Sequence, residues 1–161
     1  GNDLFSKIDI SQKFENESLF IFLNGEDVTS KIRGHKVSVN VSEYAKKPEI
    51  RNFVYNLLRK SSELTSLVVD GRDIGTVVFP NADYKFFLYA IPEIRAKRRH
   101  KEINDESVKI ESIAREIKER DDTDSNRDIA PLKKAEDAYG IDVSYLTIDQ
   151  VFEEILQKII I

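Results

Sequence analysis

The chain has 161 residues, 40% apolar and 34% charged, with a formal net charge of −4. That length suffices for one domain with a real core, and the acidic balance gives no global basic field for a DNA or RNA partner. The lack of cysteine excludes disulfides and thiolate metal sites, and two isolated histidines, His35 and His100, make a zinc site unexpected, so no metal ligands are assigned. No apolar run reaches bilayer-spanning length and no secretory signal is visible. The expectation is a cytoplasmic protein without a membrane partner, and a monomer. The chain contains no methionine, so a processed product or a fragment is expected.

Residues 1–16 are polar and weakly patterned and read as a lead-in. Ser18–Leu23 predicts a strand, followed by Asn24-Gly25, a hairpin turn signal. Residues 26–29 and 31–33 read as short partners in a small antiparallel sheet. Pro48 opens a helix, suiting its fixed φ and missing N–H. There Ile50, Phe53, Val54, Leu57 and Leu58 form an apolar face, with Arg51 at its margin. Ser66–Asp70 reads as a buried strand, Lys85–Tyr89 as a second, and residues 138–143 as a third. Pro92 opens a helix bearing Arg95, Arg98 and Arg99, and a longer helix covers roughly Val108–Asp121. The last helix starts with the capping box Thr147-x-x-Gln150. Its apolar stripe is Val151, Phe152, Ile155, Leu156, Ile159 and Ile160. Alternating strands and helices predict an α/β fold with parallel strands. The segment near 18–60 breaks the alternation and reads as an inserted subdomain.

Two stretches carry chemistry. In the first, the apolar run Leu67-Val-Val leads into Asp70-Gly71-Arg72-Asp73-Ile-Gly75 and on to Pro80. This would deliver charges to the C-terminal edge of a sheet, where open α/β proteins bind ligands; Asp-Gly alone is an ordinary turn. In the second, the helical stripe Ile110, Ile113, Ala114, Ile117 continues into Arg120, Asp124 and Arg127. Inward-facing charges must be paired or liganded. The stripe is either an internal ion-pair ladder or a surface that closes on a polyanion, for which arginine's planar fork is suited. Arg95, Arg98 and Arg99 share one helical face, either solvated or a partner for a triphosphate. Taken alone, Arg51 reads as an exposed helix arginine and Ser42 as a helix N-cap. Two isolated histidines and no cysteine give no nucleophilic triad, which leaves polyanion binding and electrostatic stabilisation.

With Gly25-Glu26-Asp27-Val28-Thr29-x-x-Ile32-Arg33, residues 37–51 and the closing Ala138-Tyr-Gly-Ile-Asp142-Val-Ser144, these stretches resemble bacterial cytidylate kinases over nearly the whole chain. The resemblance implies a P-loop NTPase-like nucleoside monophosphate kinase. Its parallel core sheet, incomplete in this chain, would span 65–104 and 133–161. Residues 1–16 would be the lead-in, 17–64 an antiparallel α+β monophosphate-binding insert and 105–132 a helical lid. It implies transfer of a phosphoryl group from ATP, with Mg²⁺, to CMP or dCMP. Ser42, Arg51 and Asp73 would contact cytosine, and Arg72 and Arg127 the acceptor phosphate. Arg120 and Asp124 would hold the ribose and close the lid, Arg72, Arg120 and Arg127 being the catalytic set. Arg95, Arg98 and Arg99 would lie near the donor phosphates. The family's Gly-Lys-[Ser/Thr] phosphate loop and the Tyr-Arg motif after it do not occur in this sequence, whose six glycines are scattered. ATP and Mg²⁺ would therefore be held mainly by a part outside this chain, and the chain alone is expected to be inactive. Two alternatives stand beside this reading: a non-catalytic pyrimidine-monophosphate-binding fragment, and a UMP/CMP dual-specificity kinase.

Overall fold

A computed structural model describes residues 5–16, 18–63, 66–105 and 107–159, without the side chains of residues 35, 38, 39 and 42. The chain divides into two compact units, Gly1–Leu57 and Leu58–Ile161.

In the first unit, β1 (Ile10–Glu15), β2 (Ser18–Leu23) and β3 (Glu26–Asp27) form an antiparallel sheet in that order. β2 lies where the sequence predicts it. Residues 10–15, however, pair with β2 along their whole length, from Ile10 opposite Leu23 to Glu15 opposite Ser18. Only Ile10 and Phe14 are apolar there, too sparse for an alternation to show. The Asn24-Gly25 turn has φ of 50° and 80° at its two residues, the left-handed pair of a tight hairpin. The Asn24 side chain closes it by accepting from the Asp9 N–H at 2.8 Å.

Residues 31–33 do not join the sheet; Lys31–Arg33 is a single 3₁₀ turn. The Ile21 N–H donates to Thr29 Oγ1 at 2.9 Å, and Asp27 Oδ1 accepts from the Thr29 N–H at 2.9 Å. This side-chain turn competes with the ladder and ends β3 after two residues. Helix α1 (His35–Ala45) begins after Gly34, whose extended backbone makes it the cap residue. Ser42 thus lies inside α1 rather than at its N-cap. Helix α2 (Pro48–Ser62) follows, with Phe53 stacked on Phe5 at 5.0 Å.

In the second unit, β4 (Phe86–Tyr89) and β5 (Tyr139–Asp142) pair in parallel, Phe86 opposite Tyr139 and Tyr89 opposite Asp142. Helices α3 (Pro92–Ile103) and α4 (Ile110–Ser125) cross between them and pack on each other. Helix α5 (Ile148–Ile159) opens with the predicted capping box: the Gln150 N–H donates to Thr147 Oγ1 at 3.2 Å, and the Thr147 N–H to Gln150 Oε1 at 2.9 Å. Ile160 of its stripe lies outside the described residues. The helix–strand alternation and the parallel pair make this an α/β unit. No helix among the described residues is long and apolar enough to cross a membrane.

The expected buried strand at Ser66–Asp70 is not formed. These residues pair with no strand among the described residues, and Val68 is fully exposed. β-branched composition favours extended backbone, but a strand exists only where a neighbour completes its ladder. β4 takes its described partner from β5.

Beyond this segment the chain enters a tight turn and one wide helical turn, Ile74–Val78, whose amides from Val77 and Val78 converge on the Asp73 carbonyl at 2.9 and 3.3 Å. Two cations pin the turn. Arg59 donates to the carbonyls of Val78 (3.2 Å) and Val77 (3.0 Å). The buried Lys85 ammonium donates to the Pro80 carbonyl and, at 2.6 Å, to Asp137. Its stem runs past Gly75, where an added Cβ would lie 3.3 Å from Lys85 Cδ. Lys85→Met keeps the stem and removes the ammonium. It should lower unfolding free energy in urea by about 1–2 kcal/mol at unchanged m-value, the scale of a charge-assisted hydrogen bond whose acceptor is partly solvated. Unchanged stability would show that the clamp holds nothing.

Candidate functional site

Three segments of the second unit bring their charges together: the turn at Arg72, the first turn of α3, and the C-terminal half of α4 with the residues after it. Two residues separate the end of β4 from the start of α3, so Arg95, in the first turn of α3, lies close in the chain to the C-terminal end of that strand. α4 ends at Ser125, where Asn126 caps it. The chain then doubles back: Ala130 takes a left-handed φ of 51°, and the Leu132 N–H donates to the Asp124 carbonyl at 2.8 Å. That reversal folds Arg127 against the helix end.

Two carboxylates organise the cluster. Asp121 Oδ1 accepts from Arg72 Nη1 at 3.2 Å and from Arg95 Nη2 at 3.2 Å, while its Oδ2 takes Arg95 Nη1. Asp124 Oδ2 lies 3.3 Å from Arg72 Nε and 3.8 Å from Arg120 Nε, and its Oδ1 lies 3.5 Å from Arg127 Nη1. Four guanidinium groups against two carboxylates leave a surplus of two positive charges.

Burial makes this surplus consequential. The side chains of Asp124 and Arg127 are only 4% and 6% exposed. Arg127 Nε and Nη2 are buried and hydrogen-bond to nothing among the described residues. Unsatisfied buried donors are uncommon and costly, and two on one charged side chain mark a place for an acceptor. The field inside is strong enough to shift titrations. Burial, and next the charge of Arg72, push the Arg120 guanidinium below its ordinary value. Burial alone would raise the Asp121 carboxyl, but the hydrogen bonds and charges of Arg95 and Arg72 outweigh it and hold the carboxyl below its ordinary range.

Of the charged stripe expected along α4, Asp124 and Arg127 are buried and Arg120 is exposed; Asp124 pairs with both arginines and with Arg72. Asp73 is buried at the start of the wide turn, next to Arg72. Arg98 points elsewhere: its Nη2 donates to the carbonyls of Val143 (2.6 Å), Ser144 (3.2 Å) and Leu146 (3.2 Å). Arg99 pairs with Glu102 at 3.1 Å on an exposed face. In the first unit Arg51 is not the exposed helix arginine its sequence suggests. It is buried, donates from Nη1 to the Tyr55 hydroxyl at 2.7 Å and lies 5.5 Å from that ring's centre. Ser42 is on α1, and its side chain lies outside the described residues. Sequence reasoning missed Asp121, although Ile117, Asp121 and Asp124 follow the helical i, i+4, i+7 spacing.

The sign of the Asp121 shift gives a pH dependence. A carboxyl depressed in the folded protein stabilises it fully above its unfolded value, about pH 4, and this is lost as pH falls through the lowered value. Stability measured by urea denaturation should therefore drop below about pH 4, and the drop should be shallower in Asp121→Asn. Parallel acid limbs for the two proteins would refute the pairing.

The family model for cytidylate kinase matches residues 2–160. The chain is 46% identical over 137 residues to a cytidylate kinase of Fervidobacterium nodosum, covering 84% of this chain and 63% of that protein. It is 47% identical over 144 residues to one from Clostridium perfringens, covering 88% and 65%. With one from Clostridioides difficile it shares 42% over 166 residues, covering 99% and 77%. The chain thus spans slightly under two thirds of the first two relatives' length. The match along almost all of its residues places this chain in the cytidylate kinase family.

Proposed function

We propose that the protein of which these residues are part transfers the γ-phosphoryl group of ATP to CMP or dCMP, and that the arginine cluster of this chain holds the acceptor phosphate. The observation that supports this most directly is the buried Arg127, with two undirected donors in a cluster carrying two surplus positive charges. A phosphate monoester dianion supplies the matching charge and acceptors. Arg72 and Arg127 would grip its oxygens, and Arg120 and Asp124 the ribose hydroxyls.

In the reaction a phosphate oxygen of CMP bonds to the γ-phosphorus of ATP while the bond to the bridging oxygen of ADP breaks. Catalysis is then chiefly positioning and neutralisation of charge. The arginines hold the attacking oxygen in line and offset the repulsion between two anions. Among the described residues no group of three carboxylates or imidazoles is placed to hold a metal ion; Mg²⁺ is assigned, with the ATP it would accompany, to residues outside this chain, where it would offset phosphate charge. The proposal assigns residues 105–132 as the lid and places the ATP phosphate loop outside these 161 residues. The chain alone is accordingly expected to bind CMP without turnover. Ser42, Arg51 and Asp73 are each assigned to cytosine recognition. Arg95 is assigned to the donor side; Arg98, bonded to three carbonyls, and Arg99, paired with Glu102, are left out of that assignment.

Isothermal titration of the chain with CMP tests the reading. Arg127→Ala should weaken CMP binding at least tenfold, about 1.4 kcal/mol, with a nearly unchanged melting temperature. Arg127→Lys should restore it only in part, since an ammonium replaces the charge but not the fork. Tight CMP binding by a stable Arg127→Ala protein would sink the acceptor-phosphate assignment.

Base choice is a separate test. Cytosine offers an amino donor where uracil offers a carbonyl, and Asp73 is a suited acceptor. Asp73→Asn should narrow the preference for CMP over UMP by about 1–3 kcal/mol, the cost of an unmatched buried hydrogen bond. An unchanged CMP-to-UMP affinity ratio would show that Asp73 does not read the base. Equal affinities in the unsubstituted chain would favour the dual-specificity alternative.

A further inference from the structure

Arg72 and Arg95 come from different segments, the turn after residues 66–70 and the first turn of α3, yet their guanidinium groups share one carboxylate. Arg95 grips Asp121 with both terminal nitrogens, and Arg72 reaches the same Oδ1 at 3.2 Å. The three side chains are 26–32% exposed, so water reaches the cluster on one side. Arg72 is braced a second time by Asp124, through Nε at 3.3 Å. Arg95 is held at both terminal nitrogens and Arg72 at Nη1 and Nε; with five N–H groups on each guanidinium, both have further donors to offer a ligand.

We propose that Asp121 is the positioning residue of the anion site: it touches no substrate, but holds Arg72, assigned to the acceptor phosphate, beside Arg95, assigned to the donor side. The inference rests on the anion-site reading above. A guanidinium at the end of a long chain carries about 2 kcal/mol of rotamer entropy. Two such groups left loose would each lose that freedom when phosphate binds. Asp121 removes it beforehand, which is preorganisation. Its position on α4, one residue after Arg120 and three before Asp124, ties the two arginines from outside the helix to the stripe within it.

The test uses the full 161-residue chain. Nitrogen-15 spectra of the arginine side chains report rotation of each guanidinium, and calorimetry reports affinity for CMP and for cytidine, which lacks the phosphate. In the unsubstituted protein Arg72 and Arg95 should show hindered rotation. In Asp121→Asn both should rotate freely, CMP affinity should fall at least tenfold, and cytidine affinity should stay within twofold. Asp121→Glu keeps the charge but moves it by one methylene, and should give a smaller CMP loss. It also serves if Asp121→Asn does not fold.

CMP affinity that is unchanged or higher without Asp121 would overturn the proposal, making the carboxylate a bystander or a competitor of phosphate. Equal loss of CMP and cytidine affinity, with a lower melting temperature, would overturn it in favour of a purely structural pin. Hindered arginines in Asp121→Asn would overturn it too. If the unsubstituted chain binds no CMP, the acceptor-phosphate reading fails. The hold of Asp121 on the two arginines is then decided by the spectra alone.

Discussion

Four arginines crowd around two aspartates in this protein, and the four guanidinium groups outnumber the two carboxylates. Asp121 meets Arg72 and Arg95, while Asp124 meets Arg72, Arg120 and Arg127. Bringing like charges together is tolerable at the surface, where water screens them. It becomes expensive where Arg127 and Asp124 sit, almost out of solvent. A phosphate dianion, the ligand proposed above, would offset that imbalance. The two carboxylates hold the guanidinium groups together. They also fix the directions in which the remaining N–H groups point.

The scaffold serves that arrangement by fixing backbone rather than by maximising burial. Two residues lead from the end of β4 to α3, which keeps Arg95 close in the chain to that end of the strand. The wide turn at 74–78 is tied down by Arg59 from one side and Lys85 from another, through bonds to backbone carbonyls. Arg72 and Asp73 precede that turn directly, so whatever steadies it steadies them. The reversal through Ala130, bonded back to the Asp124 carbonyl, does the same for Arg127. Buried or half-buried cations thus act in two ways in one unit. Those bonded to carbonyls are structural pins; those facing carboxylates with donors to spare are available for a ligand.

Arg98 and Arg95 show the difference within one helix. They lie three residues apart on α3 and share a face. Arg98 is occupied by three carbonyls at the start of the β5–α5 connection. Arg95 meets a carboxylate and keeps other N–H groups to donate. Helical spacing places both on one side of the helix but cannot say what waits there. That depends on the segment each one faces, and those segments are distant in sequence.

The sequence by itself determined whatever is encoded within a few residues. This includes the Asn24-Gly25 hairpin with its two left-handed residues, the Thr147–Gln150 capping box, and the helix starts at Pro48 and Pro92. In each case the partners are near neighbours, so local propensity and spacing suffice. The tertiary structure decided the rest. Among the described residues it gave Ser66–Asp70 no strand partner, because a strand needs a neighbour and not only β-branched residues. It made a strand of residues 10–15, whose pairing is backbone to backbone and leaves little trace in composition. It turned residues 31–33 into a 3₁₀ turn once Thr29 had taken the Ile21 amide. It buried Arg51, which sequence alone makes an exposed residue. It also brought Asp121 between Arg72 and Arg95, residues 49 and 26 positions away in the chain. No local rule reaches that far, because the energy that selects such a contact is the cost of burying unbalanced charge, which exists only after the chain has folded.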